Sequence, residues 1–151
     1  MKILMLVPYL PYPPSEGGQV RSYKLIKLLS RKHDITLVCF SRQHNTQDQV
    51  NHMKQYCKKV IVIERGKTWT IKNILRTGFS PYTFLVSIYN SPNVKKILAR
   101  ELAGNYDLIH AEMSYTLPYL PKHNLPVILV EQTIMSRIFA HQAKTDSRWW
   151  F

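Results

Sequence analysis

Residues 1–40 read MKILMLVPYLPYPPSEGGQVRSYKLIKLLSRKHDITLVCF, and this stretch decides the fold. Residues 2–7 form a short apolar run. A proline-rich loop follows and closes on Gly17-Gly18. Residues 19–31 then place Ser22, Leu25, Ile26 and Leu29 on one face of a predicted helix. DITLVCF, residues 34–40, is a second apolar run, as a strand covered on both faces should be. Strand, loop, helix and strand in that order make one βαβ unit. In such sheets ligands sit beyond the carboxyl ends of the strands, so the Gly-Gly loop lies at the edge where binding is expected.

The same alternation continues outward from this unit. A polar helix is expected over 45–57 and a third strand, KVIVIE, over 59–64. Residues 69–77 read as a short helix ended by Gly78, while 80–89 fit strand and helix equally. Ser91-Pro92 is a helix start, because serine caps and proline suits the first helical position. Val94, Ile97, Leu98 and Leu102 give that helix its apolar stripe, and Gly104 closes it. YDLIH (106–110) and PVILVE (126–131) are the fourth and fifth strands, with a short turn or helix at 116–120 between them. Residues 133–143 begin another helix. The expectation is α/β: a doubly wound, mainly parallel Rossmann-like sheet flanked by helices.

At 151 residues the chain suits one domain with a real core. Cys39 and Cys57 are too few for a disulfide framework, and Cys39 reads as a buried free thiol in a strand, which implies a reducing, cytoplasmic setting. MKILMLV is too short to cross a bilayer and has no cleavage site of small residues behind it. Lys and Arg number 21 against 9 Asp and Glu, a net charge of +12. Such a field attracts phosphates. The cations are dispersed, and three readings fit them: a solvated basic surface, contact with an anionic membrane, or nucleic-acid binding. No aromatic RNA-binding stretch or zinc-finger spacing supports the last.

Three places carry candidate chemistry. Paired glycines at 17 and 18 let backbone N–H groups approach a ligand and can form an anion-binding nest, and Arg21, one turn on, can reach a phosphate. The chain has neither GxGxxG nor Gly-Lys-Ser/Thr, so no dinucleotide or Walker fingerprint is present. His110 and Glu112 end the fourth strand and share a face if that strand continues; a histidine there can bind a sugar hydroxyl or act as a base. Glu131 and Gln132 end the fifth strand at the same edge. Each has a plain structural alternative: a turn, a surface charge, a satisfied core histidine, a strand-end acid. The six histidines show no metal spacing.

Taken together, residues 1–40, YDLIHAEMSYTLPYL (106–120) and LPVILVEQTIMSR (125–137) resemble the N-terminal, acceptor-side domain of a GT-B fold glycosyltransferase of retaining family 4. The resemblance implies a sugar transferase that uses a nucleotide-diphosphate sugar as donor, with no cofactor and no metal. The acceptor is a glycan, a lipid-linked sugar or a small molecule. It implies backbone donors at Gly17 and Gly18, positive charge from Arg21, and acceptor contacts from His110 and Glu112. The family's histidine after the fifth strand falls here on Gln132, which hydrogen-bonds but cannot shuttle a proton, and leaves Glu131 beside it to compensate. Residues 1–151 are then one domain. SRWWF (147–151) ends on three aromatics with no polar tail, which predicts a cut chain lacking its donor-binding C-terminal domain and inactive alone. The location implied is the cytoplasm, peripheral to the inner membrane surface. The rival expectation is a freestanding Rossmann-like module that binds a phosphorylated ligand without turnover.

Overall fold

The computed structural model describes residues 1–42, 46–65 and 92–132, together with Val86, Tyr89, Arg137, Ala140, His141, Lys144 and Thr145. The helix expected over 69–77, most of 80–89 and most of 133–143 lie outside the described residues.

Five parallel strands form one sheet. They are β1 (Lys2–Val7), β2 (Asp34–Ser41), β3 (Lys59–Glu64), β4 (Leu108–Glu112) and β5 (Val127–Val130), in the order β3-β2-β1-β4-β5. The helices are α1 (Gly17–Leu29), α2 (Gln47–Met53) and α3 (Pro92–Leu102), with a 3-10 helix over Ser114–Tyr119. The architecture is Rossmann-like α/β, as the alternation predicts.

Strand side chains alternate between two faces, and the core divides accordingly. Ile3, Met5, Val7, Ile35, Leu37 and Cys39 meet Ile26 of α1 and Met53 of α2 on one face. Leu4, Leu6, Val38, Phe40, Ile63 and Ile109 meet Val94 and Leu98 of α3 on the other. Covering both faces is what makes β1 and β2 nearly continuous apolar runs. Cys39 and Cys57 are free and buried; burial pushes the Cys57 thiol up to about 12, which keeps it protonated and inert.

β1 lies between β2 and β4. The chain leaves β1 towards β2 and β3, then returns across the sheet to β4 and β5. The strand order therefore reverses between β1 and β4, and a crevice opens there at the carboxyl edge. The loop that enters this crevice is pinned to α1. Gln19 Oε1 accepts from the backbone N–H groups of Ser15 and Glu16, each at 3.1 Å, and Gln19 Nε2 donates to Leu10 O at 3.2 Å. These bonds start the helix at Gly17, two residues before the apolar pattern alone placed it. Tyr12 stacks on His52 of α2 with ring centroids 3.7 Å apart, fixing the middle of the loop.

The fourth strand also begins and ends two residues later than its apolar pattern suggests. Asp107 stays outside it because its carboxylate accepts the Lys2 N–H at 2.7 Å. The strand continues through Glu112, because that buried acid finds partners. Met113 then turns the chain at φ 70°, a left-handed conformation that costs a non-glycine residue about 1–3 kcal/mol. Its N–H donates to Val130 O at 2.8 Å, and its carbonyl accepts from Thr116 Oγ1 at 2.8 Å. β5, at the sheet edge, leaves Val127, Ile128 and Leu129 exposed.

Leu98 is fully buried beneath the sheet, on the face that α3 covers. Leu98→Ala should lower stability by about 2–5 kcal/mol, read as a shift of the urea midpoint with unchanged slope. A loss below about 1 kcal/mol would mean that α3 is not part of the core.

Candidate functional site

Glu112 is the centre of the crevice. It is the last residue of β4, its side chain is 0% exposed, and it has been brought against α1, the β1 loop and the segment after β5. Arg21 Nη1 donates to its Oε1 at 3.0 Å. Ser22 Oγ donates to its Oε2 at 2.5 Å, and Gln132 Nε2 donates to the same oxygen at 2.7 Å. An ionised carboxylate only accepts, so the Gln132 amide must turn its NH2 inward. Its second N–H donates to Tyr9 Oη at 2.8 Å. The Tyr9 hydroxyl then donates to Glu112 Oε2 at 3.2 Å, with Ser22 Oγ 3.1 Å away. Each proton of the Gln132 amide and of the Tyr9 and Ser22 hydroxyls has one acceptor under this assignment.

Burial by itself raises the Glu112 pKa. The His110 ring, the Ser22 hydroxyl and the Arg21 charge outweigh it, and the carboxyl sits below its ordinary value. His110 Nε2 is 3.7 Å from Glu112 Oε1, beyond hydrogen-bonding distance, so the direct contacts from Ser22 and Arg21 carry most of the lowering. Tyr9 shifts upward, chiefly through burial.

The expected site residues divide into two groups. Gly18, Arg21, Glu112 and Gln132 come together, with Gly17 at the first helical position beside them. His110 shares a face with Glu112, as the strand's continuation required, but sits mid-strand opposite Met5 and Ile128. It is 7% exposed, with Nε2 buried and unpartnered. Glu131 is exposed and turned away from the cluster: its Oε2 accepts the Ser114 N–H at 2.8 Å, at the start of the 3-10 helix.

The glycines depart from the expected anion nest. No glycine has positive φ among the described residues, so the backbone makes a plain helix start. The space a Gly18 side chain would take is occupied by this chain itself. A Cβ there would lie 2.6 Å from Gln132 Oε1 and 2.7 Å from the Tyr9 hydroxyl. Gly18 therefore lets the cluster close against α1. Nothing lies within 4 Å of a Gly17 Cβ, and the first helical turn leaves the amides of Gly17 and Gly18 without intrahelical acceptors. Arg21, with 44% of its side chain exposed, carries positive charge from Glu112 out to the rim.

Tyr9 and Ser22 are cluster members that sequence reasoning did not single out as functional. Ser22 had a signal, a hydroxyl on the inward face of α1 one turn before Ile26. Tyr9 had none, because its role depends on a contact 103 residues away. Beside the cluster, at the carboxyl ends of β1 to β3, lies a cleft of about 480 Å³ lined by Tyr9, Tyr12, Phe40, Arg42, Arg65 and Tyr89, among others. The Arg65 guanidinium lies over the Tyr89 ring, 4.5 Å from its centroid. Among the described residues no group of His, Cys, Asp and Glu gathers as metal ligands. No family model, curated protein or solved structure matches the chain.

Two predictions test the cluster. The folded pKa of Glu112 is below its unfolded value, so its stabilisation is full above the ordinary carboxyl value and is lost as pH drops from there through the lowered folded pKa. Glu112→Gln should cost about 1–3 kcal/mol near neutral pH and flatten that part of the stability–pH curve; a variant curve parallel to the parent's would show that Glu112 is not held ionised. Gly18→Ala should cost about 1–3 kcal/mol through overpacking, whereas Gly17→Ala, in open space, should cost no stability by thermal melt.

Proposed function

We propose that this chain is the acceptor-side, Rossmann-like domain of a retaining glycosyltransferase, one that moves a sugar from a nucleotide-diphosphate sugar to a glycan, lipid-linked or small-molecule acceptor. The observation that carries the reading is the position of the cluster. Glu112, Arg21 and Gln132 meet the Gly17-Gly18 helix start at the reversal of strand order, the place where sheets of this kind bind ligands. Helix amides and an arginine suit a phosphate-bearing ligand, and catalysis of sugar transfer draws on stabilising the departing diphosphate. The adjacent cleft, walled by aromatic rings and edged by Arg42 and Arg65, has the mixed lining of a small-molecule site and is assigned to the acceptor. The whole enzyme on this reading includes a second, donor-binding domain. The exposed apolar side chains of β5 accord with further covering structure, since parallel strands are normally buried on both faces.

A second reading is binding of a phosphorylated ligand without turnover. One observation favours it. Glu112 is saturated by donors and Glu131 is tied to Ser114, so neither is poised as a base at the rim.

The complete product of the encoding gene, supplied with nucleotide-diphosphate sugars and candidate acceptors, should release nucleoside diphosphate and yield a glycosylated product by mass spectrometry. Arg21→Ala should weaken the phosphate-bearing ligand roughly tenfold or more. Ligand binding by calorimetry with no release from any donor would replace the transferase reading with the second one. Unchanged affinity in Arg21→Ala would remove Arg21 from the site.

A further inference from the structure

The sequence from Gly17 to His33 contains five lysines and arginines and no acid. In the fold these cations are gathered on one surface. Ser22 and Ile26 are the buried side of α1. Arg21, Lys24 and Lys27 lie on the arc opposite them, at the three- and four-residue spacing that makes helix neighbours. Arg31 and Lys32 extend that arc through the turn after α1. All five are exposed. Leu28 sits among them, 60% exposed, on a helix whose Tyr23, Leu25, Ile26 and Leu29 pack into the core.

The cations are mostly uncommitted. Arg21 is paired to Glu112, and the Lys27 ammonium lies 5.7 Å from the centre of the Tyr56 ring. Lys24, Arg31 and Lys32 meet no carboxylate among the described residues. The acids that bracket the segment are Glu16, before the helix, and Asp34, whose carboxylate is 3.8 Å from Lys58. Like charges along a helix repel, and an exposed leucine gains nothing in water. Both features become favourable against a surface that is anionic and has an apolar layer beneath its charges.

We infer that the outer face of α1 and the turn after it, carrying Lys24, Lys27, Leu28, Arg31 and Lys32, is a docking surface for an anionic lipid membrane. The cations meet lipid phosphates and carboxylates, and Leu28 reaches the boundary of the acyl region. Leu28 is what favours a membrane over nucleic acid, whose backbone offers no apolar layer. The assignment is independent of the glycosyl-transfer reading.

Co-sedimentation of the chain with phosphatidylcholine vesicles, with and without phosphatidylserine, tests it. Binding should require phosphatidylserine and weaken with salt. Each cation at an anionic surface is worth roughly fivefold in partitioning, so Lys24→Glu/Lys27→Glu/Arg31→Glu should lose well over tenfold. The matched variant Lys95→Glu/Lys96→Glu/Arg100→Glu changes net charge equally on α3, across the sheet. A sheet and a helix of about 10 Å diameter separate it from the docked surface, more than one Debye length of about 8–10 Å, so it should lose much less. Leu28→Ser, at an exposed position, should fold normally and bind a few-fold more weakly. Equal losses in the two charge variants would overturn the assignment, as would equal binding to both kinds of vesicle. Displacement by an oligonucleotide, with Leu28→Ser unchanged, would transfer the surface to nucleic acid.

Discussion

A carboxylate removed from water has to be surrounded by donors or give up its charge. Glu112 is surrounded. Its donors come from three places far apart in the chain: Arg21 and Ser22 on α1, Gln132 after β5, and Tyr9, in the loop after β1, closing the ring through Gln132 and Ser22. The demand of one buried acid therefore sets where the β1 loop lies, how α1 meets the sheet edge, and which way the chain turns on leaving β5. Two further features follow. Gly18 must lack a side chain because Gln132 and Tyr9 fill that space. Met113 keeps a costly left-handed backbone because the turn after Glu112 is bonded at both its N–H and its carbonyl.

That arrangement changes what the carboxyl edge can offer a ligand. The crevice at the strand-order reversal is closed at its floor by the protein's own side chains. What faces outward is the start of α1 and the exposed part of the Arg21 side chain. Glu112 holds a terminal nitrogen of the Arg21 guanidinium, while 44% of the Arg21 side chain stays exposed at the rim. Proton transfer by Glu112 itself fits poorly with a carboxyl whose pKa is lowered and whose oxygens are already occupied.

The strands were legible because a parallel sheet covered on both faces demands nearly continuous apolar residues, and KILMLV, DITLVCF and KVIVIE come close to that demand, with Thr36 the one polar residue inside a run. Element ends were less legible. α1 starts at Gly17 because Gln19 reaches back into the loop, and β4 runs on to Glu112 because partners distant in sequence neutralise the cost of burying an acid. Local periodicity contains neither fact. The site was legible in part for the same reason. Gly18, Arg21, Glu112 and Gln132 lie at strand and helix ends, where topology alone concentrates them. His110 lies in the interior because β4 runs two residues past it, to Glu112, beyond where its apolar pattern ends. Glu131 and Gln132 are adjacent and polar, and only the three-dimensional path after β5 separates the one bonded to Ser114 from the one bonded to Glu112.

The excess of positive charge, which composition reported only as a sum, acquires a direction in the fold. On α1, Ser22 and Ile26 are committed to the sheet, so the cations of the same helix have to point away from it. Arg21 is at the boundary, one turn from the helix start, with its guanidinium drawn towards Glu112. Beyond it Lys24, Lys27, Arg31 and Lys32 have no equivalent acid among the described residues to draw them inward. A single helix thereby divides its charge between two places: its start and Arg21, one turn on, bring N–H groups and one guanidinium to the carboxyl edge, and its outer face presents a cationic strip interrupted by an exposed leucine. A chain with the same composition but with these cations spread evenly over the surface would have the same net charge and neither arrangement.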